Sequence, residues 1–220
     1  FGSILTSPFT VGSWKDVYLA SHDANKGGNA SGKPVWVANT QNGYGVVRFN
    51  AANSQSLNIN PVNSPSPGLQ GISGYSLHVV AKFSSLSGVN RPICASNTGG
   101  FKIFYDGANI SCNTSSGTGV SPLTGDVTNF HVYSMLFDGS QTGNANRLKL
   151  RVDRVDQTLN FGATTVGNSI ATGAKYLYWA TDNTNFYGGD IGEVLVFSRA
   201  LSGSETTAVE SYLDTHWQAF

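Results

Sequence analysis

The stretch GDIGEVLVFSRALSGSE, residues 189–205, predicts a strand that leads into a helix. Residues 190–197 are rich in β-branched and aromatic side chains, which favour a strand. Ser202 and Glu205 then form the pattern of a capping box, in which each side chain accepts a free backbone N–H at a helix start. We therefore expect a strand followed by one short C-terminal helix that lies against the rest of the fold. The helix would present one face made of Val209, Tyr212, Leu213 and either His216 or Trp217.

Similar strand patterns recur along the whole chain, separated by clusters of Gly, Asn and Ser about every ten residues. This spacing is typical of an all-β protein, and we expect a two-sheet antiparallel sandwich. Residues 60–70 and 115–126 are interpreted as loops. The predicted strands span residues 44–50, 56–59, 75–83, 92–96, 101–106, 109–113, 130–137, 147–152, 157–160, 175–180 and 190–197.

The composition fits one domain spanning residues 1–220. The chain has 220 residues, no formal net charge, and only 12% charged residues. A nucleic-acid binder needs a clustered basic surface, and none is visible in the sequence, so we expect no nucleic-acid partner. With 40% hydrophobic residues the chain can bury a core, which argues against disorder.

The N-terminal residues contain no targeting or spanning signal that we recognise. No run approaches eighteen consecutive apolar residues, so we expect no membrane insertion. The chain starts at Phe1 rather than Met, which suggests a processed product or a part of a longer chain. Residues 1–12 are interpreted either as an arm that binds a partner or as the first strand of the sandwich.

The two cysteines, Cys94 and Cys112, are too few for a disulfide scaffold or a cysteine-rich zinc site. The predicted turns place Cys94 near Ile103 and Cys112 near Phe104, on opposite faces of a three-stranded meander. Two strand spacings of about 4.8 Å would also separate them. We therefore predict two free, mostly buried thiols.

The order of motifs resembles a known family of lectin-like domains. The stretches that carry the resemblance are residues 14–16, 32–36, 45–57, 99–107, 137–139, 146–150 and, above all, 189–205. They are similar to the laminin-G-like, concanavalin A-like lectin/glucanase jelly rolls of bacterial and phage surface proteins. The resemblance implies a jelly roll that binds glycans or protein surfaces, sometimes with calcium, and in some branches hydrolyses polysaccharides. Arg154 departs from the family, which usually has Gly in that hairpin.

The carboxylates do not form the pair that glycoside hydrolysis requires. Glu205 is explained as a helix cap and Glu210 as a solvated helix residue. Asp190 and Glu193 lie three residues apart, so regular alternation would direct them to opposite faces of a strand. The catalytic branches carry a Glu-x-Asp-x-x-Glu type strand, which is absent here, and we expect that the protein is not an enzyme.

Nucleophilic and metal-dependent catalysis also lack a motif. No Gly-x-Ser-x-Gly elbow is present, and neither cysteine has a nearby histidine in sequence. The histidines are scattered and are interpreted as structural or exposed residues: His22, His78, His131 and His216.

Two segments combine aromatic residues with amides and carboxylates, as a shallow sugar-binding site requires. In the first, Trp179 and Tyr187 bracket the loop of Asp182, Asn183 and Asn185. The second contains Tyr105, Asp106 and Asn109. The alternative is that Trp179 alternates with Leu177 and points into the core, whereas Tyr176 and Tyr178 face the other way.

Calcium accepts carboxylate and amide oxygens in flexible geometry, so the same loops are candidate calcium sites, at Asp182, Asp190 or Asp106. The alternative is that these Asp and Asn residues only stabilise turns. No cofactor is required by any motif.

Two functions remain open at this point. The first is a non-catalytic, lectin-like recognition module that binds glycan or protein. Such a module would belong to an extracellular, cell-surface or virion protein. The second is a structural or assembly protein of a phage particle, in which neighbouring subunits are the partners and the lectin fold serves as a scaffold. An exposed aromatic with amide neighbours would favour the first, and an apolar patch covered only by a partner would favour the second.

Overall fold

A computed structural model describes residues 9–11, 13–15, 24–26, 32–59, 69–84, 91–96, 100–114, 117–122, 125–172 and 176–220. The strands of these residues are β1 Phe9–Thr10, β2 Ser13–Trp14, β3 Ala24–Lys26, β4 Val35–Gln41, β5 Tyr44–Phe49, β6 Leu57–Ile59, β7 Gly74–Phe83, β8 Arg91–Ser96, β9 Phe101–Tyr105, β10 Asn109–Thr114, β11 Gly117–Pro122, β12 His131–Asp138, β13 Leu148–Val152, β14 Val155–Asp156, β15 Leu177–Trp179 and β16 Gly189–Phe197. The helices are α1 Asn144–Arg147 and α2 Gly203–Trp217, with a 3-10 turn at Ala51–Asn53.

The strands form two antiparallel sheets, as the sequence predicts for an all-β jelly-roll sandwich. Sheet A has the order β1-β4-β5-β16-β7-β12-β13-β14, and sheet B has the order β11-β10-β9-β8-β15-β6-β3-β2. Several neighbours, such as β4 and β5 or β8 to β11, are consecutive in sequence. The centre of each sheet instead pairs distant strands, such as β16 with β5 and β7, and β15 with β6 and β8.

Strand β7 shows how the sandwich is filled. Its alternate residues Tyr75, Leu77 and Val79 point into the core between the sheets. Val80 lies on the other face, in a second apolar cluster. Strand β7 is therefore buried on both faces, although the polar residues Ser76 and His78 alternate with its apolar ones.

Helix α2 covers the outer face of sheet A. The predicted capping box is present, with Ser202 and Glu205 each bonded to the other's backbone N–H. Leu213 and Trp217 pack on the outer cluster with Val80. Tyr212 belongs to the predicted apolar face but is 47% exposed, so that part of the prediction is wrong.

Several segments differ from the predicted strands, and β1 to β4, all before residue 44, are not among them. Residues 117–122, expected as a loop, form strand β11, which pairs with β10 along its full length. Its Gly117 and Gly119 leave room for residues 159–166, since a Cβ there would collide with Val166 or Leu159. The strand expected at residues 157–160 is reduced to a single bridge between Asn160 and Val120.

The cysteines are free and buried, as predicted. The predicted register of Cys112 is wrong, because both Cys94 and Cys112 lie opposite Ile103 on the neighbouring strands. They therefore share one face and point into the core. Two strand spacings, roughly 10 Å, still exceed the span of a disulfide.

The described part of the N-terminal segment is a strand rather than an arm. Phe9 and Thr10 pair with Trp36 and Val35 at the edge of sheet A. Residues 1–8, and the predicted loop residues 60–68, lie outside the described residues. Among the described residues, no helix is both long and apolar enough to cross a membrane.

Candidate functional site

A cleft of about 670 Å³ lies where strands β5, β16 and β7 meet at one end of sheet A. Its described lining residues are Arg48, Phe49, Asn50, Ala51, Ala52, Lys82, Phe83, Ser84, Arg91, Thr128, Gly188, Gly189 and Asp190. Most of these residues stand at strand ends or in the adjoining turns. The cleft is large enough for a small ligand.

A row of three charged residues crosses the cleft. Asp190 on β16 lies directly opposite Arg48 on β5 and Lys82 on β7. The Arg48 Nε and Nη2 atoms donate to the two Asp190 oxygens at 2.7 and 2.8 Å. The Lys82 Nζ lies 3.6 Å from Asp190 Oδ2. The hydrogen bonds that Arg48 donates to Asp190 raise the pKa of Arg48, so this guanidinium remains charged.

Arg91 adds a third cation from sheet B. Its side chain reaches across the end of the sandwich, and Nη1 donates to the carbonyl oxygen of Phe186 at 2.9 Å. Phe186 precedes the segment 187–190 that forms one wall of the cleft. This contact ties β8 of sheet B to the segment that leads into β16.

The wall of the cleft is built on Tyr187 and Gly189. Tyr187 is fully buried, and its hydroxyl donates to the carbonyl oxygen of Lys82 and lies 3.2 Å from the carbonyl oxygen of Asp190. Gly189 has φ +155°, and a Cβ on it would collide with Lys82 and Tyr187. Only glycine fits here, and this close packing sets the positions of Lys82 and Asp190.

The first aromatic site expected from the sequence is not formed. Trp179 is 6% exposed and Tyr187 is fully buried, and both belong to the core between the sheets. Alternation along β15 directs Leu177 and Trp179 to the same inner face. The alternative interpretation from the sequence, in which Trp179 points into the core, is therefore correct. Neither ring can stack on a sugar, although Tyr187 does support the cleft from beneath.

The loop between these aromatics is a self-contained turn. Asp182 Oδ1 accepts the backbone N–H groups of Thr184 and Asn185, and Oδ2 accepts Lys102 Nζ at 3.0 Å. Burial opposes ionisation of Asp182, but these bonds prevail and lower its pKa. Asn183 is exposed with φ +76°, the left-handed region that asparagine tolerates.

The second expected site is also a turn. Tyr105 is 2% exposed, and its hydroxyl donates to the carbonyl oxygen of Gly107. Asp106 Oδ1 accepts both the backbone N–H and the side-chain amide of Asn109 at 3.0 Å. Because the Tyr105 ring points into the core, this segment offers no aromatic face to a ligand.

Two of the three candidate calcium ligands face cations of the protein itself. Asp182 pairs with Lys102, and Asp190 pairs with Arg48 and Lys82. A calcium ion bound next to either carboxylate would be repelled by these groups. Among the described residues, no three His, Cys, Asp or Glu side chains are grouped as a metal site would require.

Asp190 and Glu193 share a face of sheet A, contrary to the expectation from their spacing. An irregularity between Ile191 and Glu193 places Glu193 opposite Val80, two residues from Lys82 on the same face of β7. Both carboxylates are nevertheless occupied. Asp190 is held by two cations, and Glu193 accepts the indole N–H of Trp217 at 2.8 Å.

The glutamates of the terminal helix have structural contacts. Glu205 caps the helix, as predicted, and pairs with Arg199. Glu210 is buried rather than solvated, with Arg151 Nε 3.1 Å from its Oε1. The period of an isolated helix does not reveal this burial, because Arg151 comes from a distant strand.

The sequence analysis did not identify Arg48, Lys82 or Arg91 as site residues. Arg48 and Lys82 each stand at the end of a predicted strand, where a single basic residue is an ordinary solvated side chain. Only the pairing of β16 with both β5 and β7 brings them to Asp190.

No protein-family model and no curated protein matches the chain. Solved structures do share its fold. One is domain 4 of AbnA, a GH43 extracellular arabinanase from Geobacillus stearothermophilus, in complex with arabinotriose. Its TM-score is 0.56 at 15% identity, and the match covers 81% of this chain and 82% of the AbnA domain chain. Another is the CBM40 of the Ruminococcus gnavus IT-sialidase, bound to alpha2,3 sialyllactose. Its TM-score is 0.50 at 14% identity, and the match covers 64% of this chain and 83% of the CBM40 chain.

A third similar structure is that of botulinum neurotoxin type C, whose cell entry depends upon interaction with two ganglioside molecules. Its TM-score is 0.57 at 11% identity, and the match covers 93% of this chain and 51% of the neurotoxin chain. These likenesses show a jelly-roll β-sandwich fold. They do not support the finer resemblance to the laminin-G-like and concanavalin A-like family.

Proposed function

We propose that the protein is a non-catalytic carbohydrate-recognition module that binds its ligand in the cleft around Arg48, Lys82 and Asp190. The observation that carries this proposal is the cleft itself, which collects hydrogen-bond donors at the end of a lectin-like sandwich. Sugars present many hydroxyl groups, and they are bound by such donors placed on a rigid frame.

Several groups in the cleft suit a sugar. Asn50, Ser84 and Thr128 are exposed polar residues on three different segments of the lining. Ala51, Ala52 and Gly188 also line the cleft, and these small residues leave space for a sugar ring. Unlike many sugar sites, the cleft presents no exposed aromatic among its described lining residues, so binding would depend on hydrogen bonds and charge.

The fold supports the same proposal. The arabinanase domain was solved with arabinotriose and the sialidase CBM40 with sialyllactose. Since function transfers less well than fold, these ligands only indicate that such a sandwich can hold a sugar. They do not identify the sugar for this chain.

A hydrolase is the less favoured alternative. Hydrolysis of a glycosidic bond needs two carboxyl groups, one of which gives a proton to the leaving oxygen. Asp190 is the only acid among the described lining residues, and it is 2% exposed and bonded to Arg48. Glu193 on the same face is bonded to Trp217.

We place this module on an extracellular, cell-surface or virion protein, with glycan as its main partner. No calcium is needed for the proposed contacts, because cations of the protein already surround Asp190. A role in assembly of a phage particle, with neighbouring subunits as partners, is the competing outcome of the test below.

The test is a glycan-array screen of the purified chain, with calcium and with chelator, beside Ala52→Trp. Ala52 is exposed in the cleft, so an indole there should block the site without disturbing the core. Val155→Trp is the matched control, because Val155 is 62% exposed and is not among the described lining residues. Selective binding that is lost only in Ala52→Trp supports the proposal.

A blank array on folded protein would overturn the proposal and favour the assembly role. Binding that survives Ala52→Trp unchanged would place the sugar site elsewhere. Circular dichroism of both variants shows whether each still folds.

A further inference from the structure

The described lining of the cleft holds more positively than negatively charged side chains. Among the described lining residues, Arg48 and Lys82 face the single carboxylate of Asp190. The whole chain has no formal net charge. Two cations against one carboxylate leave positive charge in this concave site, where it attracts anions more strongly than on an open surface.

Asp190 does not fully compensate these cations. Its two oxygens are both taken by Arg48, at 2.7 and 2.8 Å. Lys82 Nζ is 3.6 Å away, beyond ordinary hydrogen-bond distance, and its other close neighbour is the Phe130 ring at 4.9 Å. The ammonium group of Lys82 therefore keeps donors for a further acceptor.

Arg48 also retains unused donors. A guanidinium carries five N–H groups, and the pair with Asp190 uses the one on Nε and one on Nη2. The Arg48 side chain is 49% exposed, whereas that of Asp190 is 2% exposed. The N–H groups of Arg48 that do not bond to Asp190 therefore belong to the solvent-exposed residue of the pair and can donate to a ligand.

This arrangement differs from a nucleic-acid site. A binder of a phosphate backbone needs cations in a stripe that follows many successive phosphates. Here the cations converge on one cleft beside the hydroxyl groups of Ser84 and Thr128. One anionic group on a polyhydroxylated ligand matches this pattern better than a polyanion does.

We propose that the cleft selects sugars that carry a carboxylate, with Lys82 and the unused face of Arg48 as the groups that bind it. This inference rests on the proposed function and narrows its ligand class. A planar carboxylate fits a guanidinium fork, as the Arg48–Asp190 pair itself shows. Two classes of sugar supply that group, the uronic acids and the sialic acids.

The test compares acid sugars with neutral partners of the same ring structure. Trigalacturonate and 3'-sialyllactose are each measured against their own methyl ester by titration calorimetry of the full chain. We expect at least one acid to bind about tenfold or more tightly than its neutral partner. The preferred pair identifies the source of the carboxylate, and its affinity should fall as salt is raised.

Variants then assign the contact. Lys82→Gln should weaken acid binding about tenfold, because it removes the charge and keeps the Arg48–Asp190 pair intact. Lys82→Arg should retain most of the affinity. Lys149→Gln is the matched control, since Lys149 is exposed on β13 and is not among the described lining residues of the cleft. Arg48 is left unchanged, because its removal would deprive the buried Asp190 of its main partner.

The outcomes separate this inference from the proposed function. Equal affinity for each acid and its neutral partner, or acid binding that Lys82→Gln leaves unchanged, overturns the carboxylate assignment and leaves a neutral-sugar module standing. If no glycan of either kind binds to folded protein, on the array or by calorimetry, the proposed function itself fails.

Discussion

The carboxylate of Glu210, on helix α2, lies 3.1 Å from the guanidinium Nε of Arg151, on strand β13, with no exposed surface of its own. Burial raises the pKa of Glu210. The pair joins the terminal helix to the outer face of sheet A. Arg151 thus supplies a cation beside a carboxylate that the fold has buried.

Removing Glu210 should be costly. We expect Glu210→Ala to lower the free energy of unfolding by about 3 kcal/mol, because Arg151 would lose its buried partner. Glu210→Gln, which keeps the shape, should cost less. Urea denaturation of the two variants checks this, and an unchanged midpoint for Glu210→Ala would contradict a structural role for the pair.

The buried His78 predicts a loss of stability in mild acid. Burial, with a smaller effect of Arg151, lowers its pKa to about 4 from 6.5. The unfolded chain therefore binds a proton more readily than the folded one, and the stability present above pH 6.5 is lost as the pH falls towards 4. The full effect is about 3 kcal/mol.

Denaturation midpoints between pH 7 and 4 measure this effect, and His78→Gln should flatten the profile. Glu210 acts in the opposite direction, because its raised pKa makes the folded state favour the protonated acid. The double variant with Glu210→Gln separates the two contributions. A wild-type profile no steeper than that of His78→Gln would refute the prediction.

The two thiols should be unreactive in the folded protein. Cys94 and Cys112 are fully buried, and burial raises the pKa of both thiols, so the reactive thiolate is scarce. We expect almost no reaction with a thiol reagent in buffer and two reacting thiols per chain in denaturant without reductant. Rapid labelling of native protein, or no thiol after unfolding, would be inconsistent with the structure.

Gly189 should be needed for the cleft. Gly189→Ala places a methyl group against Lys82 and Tyr187 at φ +155°, and we expect a loss of about 2 kcal/mol in the free energy of unfolding. Gly203→Ala is the control, because a Cβ there meets nothing within 4 Å and helical alanine is favoured. Thermal denaturation of both variants compares them directly, and equal effects would contradict the argument.

Trp179 should affect stability rather than binding. Because its ring is in the core, we expect Trp179→Ala to cost about 3–5 kcal/mol. The more conservative Trp179→Phe should leave ligand binding in the cleft unchanged once the protein is folded. A selective loss of binding in a stable Trp179→Phe variant would restore the loop of residues 182–185 as the site.

Much of the fold follows from local sequence. Alternation of apolar residues in β7 predicts a buried strand, since successive side chains must point to opposite faces. The capping box of Ser202 and Glu205 marks the start of the helix, because both partners lie within one turn. The burial of the two cysteines could likewise be predicted from the strands that contain them.

The site was decided by tertiary structure alone. Arg48, Lys82 and Asp190 are separated by up to 142 residues, and only the pairing of three distant strands places them in one row. The same pairing includes the irregularity beside Glu193, which no alternation pattern reveals. Local sequence therefore determined which segments become strands and which residues fill the core. The charged cleft arose from strand order and register, which depend on long-range packing that no local pattern encodes.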